Sequence, residues 1–126
     1  MEKAPSHPIL VVASRWQTRT LLAAQIGEAT ERDVISAPSV NEALGLIKLG
    51  RIDPALVVLD TGQRIDREDV ERLMEAKTDV PLVAIASRFR REAFDTLRDR
   101  CANLLLRPVS IGKVARVVAQ LLEEFP

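Results

Sequence analysis

Residues 56–64 read LVVLDTGQR: four apolar side chains, then an aspartate, Asp60. A carboxylate left unpaired inside a strand is costly to desolvate, whereas at the strand's exit it is held rigidly at the mouth of a pocket. The apolar run is continuous rather than alternating, the pattern of a strand buried on both faces of a parallel sheet. Outward from this segment the pattern recurs in ILVVA (9–13), LVAIA (82–86) and NLLL (103–106), with ALVVL (55–59) as the run that leads into Asp60. DVISA (33–37) reads as a further, less buried strand.

Helical spacing fills the intervals. Ser39 and Glu42 form an S-x-x-E capping box, and Val40, Ala43, Leu44 and Ile47 follow at i, i+3, i+4 and i+7. Ser110 is placed to cap a C-terminal helix striped by Ile111, Val114, Val118 and Leu121 or Leu122. Asp66 is a cap for a helix carrying Val70, Leu73 and Met74; Phe89, Ala93, Phe94 and Leu97 make the inward face of another; the segment near 15–28 contributes Leu22 and Ile26. These apolar stripes read as core packing. Strand and helix therefore alternate five times with short connections, which implies an α/β domain: right-handed crossovers and a parallel sheet with helices on both faces. Ligands of such open sheets bind beyond the carboxyl ends of the strands, where strand order reverses. Those ends are Ala13-Ser14, Asp60-Thr61, Ala86-Ser87 and Leu106-Arg107-Pro108.

The 126 residues suit one domain, read as a tail at 1–7 followed by a single unit over 8–125. With 47% apolar and 29% charged residues the composition is globular. Eighteen basic and eighteen acidic side chains cancel, so no net field favours nucleic acid or an anionic membrane. No apolar run approaches the ~20 residues of a membrane helix, and MEKAPSHP has no apolar signal core, so a cytoplasmic protein is expected. The single cysteine, Cys101, excludes internal disulfides and a cysteine-rich metal site.

Several segments together resemble the receiver domain of bacterial two-component response regulators. SAPSVNEALGLI is similar to the second strand and helix of that family, VPLVAIAS to its fourth strand with a leading proline, and CANLLLRPVS to its pattern of a small pair, a strand, then Lys-Pro. The resemblance runs from about residue 8 to 125. It implies a flavodoxin-like (βα)5 fold, a doubly wound five-stranded parallel sheet in the order 2-1-3-4-5. It also implies signalling in a two-component or phosphorelay system rather than enzymatic activity, with a histidine kinase or downstream signalling protein as partner and homodimers as a further form.

In that family a central aspartate takes a phosphoryl group from a phosphohistidine. Two carboxylates ending the first strand help hold Mg²⁺, and a hydroxyl and a lysine ending the fourth and fifth strands bind the phosphoryl oxygens. The chemistry is positioning and electrostatic stabilisation. Asp60 matches the phosphoacceptor position, but the acidic pair reads Ala13 and Ser14. The hydroxyl position reads Ala86, with Ser87 one residue late; the lysine position reads Arg107, followed by the expected Pro108; and Leu104 replaces the aromatic residue three positions earlier. Mg²⁺ depends on carboxylates for attraction, and losing two of them removes several kcal/mol, an order-of-magnitude figure at a moderated dielectric. Weak or absent Mg²⁺ binding is therefore expected, with no cofactor, and Asp60 is expected to form an ion pair with Arg107 instead.

The stretch RFRREAFDTLRDR (88–100) carries five arginines against three acids. Resemblance places it on the helix that, with the last strand and last helix, receivers use for partners or dimers. Arg88, Arg90, Arg91 and Leu104 are thus a candidate partner face, against the alternative of a solvated face with i, i+4 pairs. Interleaved acids and the lack of an outward aromatic platform argue against nucleic-acid binding. The acidic IDREDVERLME (65–75) reads as a solvated face or a complementary docking surface. Trp16 either shields the strand-end pocket, meets a partner or packs on the first helix. His7 reads as a linker residue and Cys101 as a small packed one. Three functional readings follow: a receiver-like interaction module with a degenerate phosphorylation site, a conventional receiver phosphorylated on Asp60, and an unrelated flavodoxin-like domain binding a small ligand or working as an enzyme.

Overall fold

The structure is a computed structural model that describes residues 7–60, 67–76, 80–86 and 103–124. Strands β1 (Ile9–Ala13), β2 (Val34–Ala37), β3 (Leu56–Asp60), β4 (Leu82–Ala86) and β5 (Asn103–Leu106) form one sheet in the order β2-β1-β3-β4-β5. Every neighbouring pair is parallel. The described helices are α1 (Trp16–Thr30), α2 (Val40–Lys48), α3 (Arg67–Ala76) and, at the C-terminus, α4 (Ile111–Glu124). The helix expected over 88–100 and the cap expected at Asp66 lie outside the described residues.

Each continuous apolar run becomes a strand because alternate side chains serve two different cores. Leu10, Val12, Val57, Leu59 and Leu82 pack against Val40, Ala43 and Leu44 of α2 and Val70 and Leu73 of α3. Ile9, Val11, Leu56, Val58, Val83 and Ile85 pack on the opposite face against Leu22 and Ile26 of α1 and Val114, Val118 and Leu122 of α4. Fully burying each such side chain is worth about 1.5–3 kcal/mol. The three central strands are buried throughout. NLLL departs from that expectation: Leu105 alone is buried, because β5 is a sheet edge with one neighbouring strand. β2 is the other edge and, as expected for DVISA, is less buried than the central strands.

Local signals set the helix ends. The Ser39 hydroxyl accepts from the Glu42 amide at 3.2 Å, and that of Ser110 from the Lys113 amide at 3.1 Å. Gly50, at φ 69°, closes α2 with the left-handed turn that glycine adopts without strain. α1 runs to Thr30, beyond its expected end near residue 28, because Glu31 takes the left-handed position and its amide returns to the Gly27 carbonyl. Ser39→Ala is expected to cost about 1 kcal/mol. Urea unfolding should show a lower midpoint at unchanged slope, and an unchanged midpoint would contradict the cap's role.

His7 is more than a linker residue. Its Nδ1 lies 2.9 Å from the Asp53 carbonyl oxygen and 3.3 Å from the Asp53 carboxylate, while Arg32 donates to the His7 carbonyl at 3.2 Å. These contacts join the segment before β1 to the loop before β3, at the sheet end opposite Asp60.

Candidate functional site at the carboxyl ends of the strands

β1, β3 and β4 end side by side. Register pairs Ala13 with Asp60 and Asp60 with Ile85, and Ala86 pairs with Leu106 one step beyond. Asp60 is 8% exposed and is the one buried charged residue among the described residues. The Arg107 amide continues the ladder, donating to the Ala86 carbonyl at 2.8 Å. This fixes the root of the Arg107 side chain two strands from Asp60, about 10 Å away at the usual strand spacing. An arginine side chain meeting an aspartate spans that distance.

The guanidinium completes the reach: Arg107 Nη2 donates to Asp60 Oδ1. The Asp60 side chain is 5% exposed and that of Arg107 35%, so the carboxylate is desolvated while its partner keeps one side in water. A charge-assisted hydrogen bond of this kind is what a buried carboxylate requires. The Arg107–Pro108 peptide is cis, and Pro108 is exposed.

A second guanidinium meets the same edge. Arg19, one turn into α1, donates from Nη1 to the Ala13 carbonyl at 2.9 Å. Sequence reasoning did not single it out. Six residues separate Arg19 from Ala13 in no recognised motif, and only the sharp turn from β1 into α1 brings them together. Its position is telling, because Ala13 is the register partner of Asp60.

Other expected site residues are placed more plainly. Ser14 is exposed on the turn. Leu104 is half-buried against the core on the α2–α3 face. Trp16 is 63% exposed, so it does not pack into the helix layer. Ser87, Arg88, Arg90, Arg91 and Cys101 lie outside the described residues.

The fold family implies a Mg²⁺ ion beside the central aspartate, and the residues present do not fit one. Mg²⁺ needs octahedral oxygen ligation built on carboxylates. Here Asp60 is the lone carboxylate of the three strand ends, and a guanidinium already sits on it. Among the described residues no group of three or more acidic, histidine or cysteine side chains converges. A fixed positive charge about 4 Å from an incoming cation opposes it by about 4 kcal/mol per unit charge at an effective dielectric of 20.

The architecture recurs in solved structures. The chain superposes on an adenylate cyclase from Rhodopirellula baltica with a TM-score of 0.81, over 96% of this chain and 90% of that one, at 13% identity. It matches a response regulator receiver domain protein from Clostridium thermocellum at TM-score 0.75, covering 94% and 96% of the two chains, at 12% identity. The receiver domain of NtrX from Brucella abortus matches at TM-score 0.74, covering 91% and 98%, at 23% identity. No protein-family model and no curated protein matches the sequence. At these identities the likeness is one of fold, and the fold is that of the response-regulator receiver domain: flavodoxin-like, with five parallel strands in the order 2-1-3-4-5.

Proposed function

We propose that residues 8–125 form a receiver-like signalling module of a bacterial two-component system that acts by protein–protein contact in the cytoplasm, without catalysis and without phosphate chemistry at Asp60. The observation that carries this reading is the Asp60–Arg107 ion pair, formed where Ala13 and Ser14 stand in place of metal-holding acids. The pair supplies internally the positive charge that a divalent ion supplies in a phosphorylatable receiver, and it occupies the carboxylate oxygen that would attack a phosphoryl donor. The partner in this reading is a histidine kinase or a downstream signalling protein. Among the described residues no helix is long and apolar enough to cross a membrane.

The test is incubation with acetyl phosphate and Mg²⁺ followed by intact mass. The expected spectrum is that of the unmodified chain, with the Asp60→Asn variant giving the same result. A stoichiometric mass gain of one phosphoryl group, lost in Asp60→Asn, would overturn the proposal in favour of a conventional phosphoacceptor.

A further inference from the structure

One side of the β2 backbone is open. The Ile9 amide donates to the Asp33 carbonyl at 2.9 Å, and Ile9 stands opposite Val34 in the parallel ladder. Backbone groups point alternately to the two sides of a strand. Asp33, Ile35 and Ala37 therefore face β1, while Val34 and Ser36 turn their amides and carbonyls outward from the sheet's edge. The strand VISA holds neither a charge nor a proline, the usual devices that keep an open edge from pairing.

Beside this edge, on the α2 side, lies a groove of about 340 Å³. Ala37, Pro38, Gly45, Leu46 and Leu49 line it, and Leu49 is 73% exposed. Its ends carry opposite charges, Glu42 in the first turn of α2 and Arg51 just past the last. Neither of these side chains has an ion pair among the described residues. Gly45 stands in the middle of α2, where glycine is the least favourable residue after proline. No described atom requires a glycine there, since an added Cβ meets nothing within 4 Å. What the missing side chain leaves is room for an external backbone to approach α2 closely.

We propose that the open edge of β2 and this groove bind an extended peptide segment of a partner protein, which joins the five-stranded sheet as a further strand antiparallel to β2. Its backbone pairs with the outward groups of Val34 and Ser36, and every second side chain enters the groove. α2 starts just after β2 ends and runs back beside it, so Glu42 lies by the carboxyl end of β2 and Arg51 by its amino end. The nine residues of α2 span about 13 Å, the length of about four strand residues. The segment thus carries a basic side chain against Glu42, an apolar one over Gly45 two residues on, and an acidic one against Arg51 two residues further. Antiparallel pairing sets this order, being the stronger per residue. The inference rests on the reading of the module as one that acts by protein contact. Phosphate transfer to Asp60 would sink that reading and leave this edge unchanged, whereas a failed peptide test leaves the Asp60–Arg107 account standing.

The test uses the full chain and two capped heptapeptides of threonine. One carries lysine, leucine and glutamate at its second, fourth and sixth positions; its isomer exchanges the lysine and the glutamate. Titrated to millimolar concentration, the first peptide should move amide chemical shifts saturably, centred on Val34, Ser36, Gly45 and Leu49. The isomer should bind about threefold more weakly, the size of effect exposed charges give. Gly45→Leu puts a side chain into the groove where its Cβ has open space, and should weaken binding about tenfold while the melting temperature holds or rises. Arg51→Glu should weaken the first peptide about threefold, and replacing that peptide's glutamate by lysine should restore binding to this variant. The proposal is overturned by a lack of saturable shifts, by shifts centred elsewhere, by equal binding of the two isomers, or by Gly45→Leu binding as the wild type does. Equal shifts with N-acetyl-leucine amide would assign the groove to a small apolar molecule. Shifts at Val34 and Ser36 that grow with protein concentration alone would assign the edge to a second copy, and either result overturns the proposal as well.

Discussion

Arg107→Ala is expected to destabilise the fold by about 3 kcal/mol, the low end of the cost of breaking a buried pair, because one side of Arg107 faces water. For a chain of this length that is a fall in melting temperature of about 10 °C. The cause is what the substitution leaves behind: a carboxylate 5% exposed that has lost the guanidinium paired with it. Adding Asp60→Ala should recover most of the loss, since the double variant buries no carboxylate. The coupling between the two sites should then be about 2 kcal/mol in a double-mutant cycle. Asp60→Asn, which keeps an acceptor for Arg107 Nη2, should cost less than Arg107→Ala. Thermal and urea unfolding of the four proteins decides the matter. An unchanged melting temperature for Arg107→Ala would show that the pair does not hold the strand ends.

Rebuilding the acidic pair should have the second large effect. In the triple variant Ala13→Asp, Ser14→Asp, Arg107→Lys, one new carboxylate stands on the register partner of Asp60 and another on the adjoining turn. Without metal, the three acids repel one another and should lower stability by about 2 kcal/mol, an order-of-magnitude figure. With Mg²⁺ the same acids form an oxygen site, and binding to the folded state alone returns about 2.7 kcal/mol when the ion is at a hundred times its dissociation constant. The melting temperature of the triple variant should thus climb with Mg²⁺ while that of the wild type stays flat. Equal responses in the two proteins, or none in the variant, would contradict the charge argument.

Legibility in the sequence followed burial. β1, β3 and β4 were visible as unbroken apolar runs because central parallel strands are covered on both faces. α2 announced itself through Ser39 and Glu42, whose capping geometry is local and needs no tertiary knowledge. The half-burial of β5 was not readable in the run NLLL itself; it follows from the order 2-1-3-4-5 that the resemblance implies, which puts β5 at an edge. At the site, Asp60 stood out as a charge closing an apolar run, and Arg107 through the resemblance, which sets it at the lysine position before Pro108. Arg19 escaped notice because its bond to the Ala13 carbonyl depends on the turn between β1 and α1 rather than on any spacing rule. His7 was equally silent, its partner Asp53 being 46 residues away.

The central claim is that the strand-end pocket has exchanged an ion site for an internal salt bridge. Titration of the wild-type chain with Mg²⁺ well into the millimolar range, followed calorimetrically and by amide chemical shifts of Ala13, Asp60 and Arg107, tests it most directly. The account predicts no saturable heat and no saturable shift at those residues. A one-to-one isotherm with shifts centred on Asp60, abolished by Asp60→Asn, would contradict it.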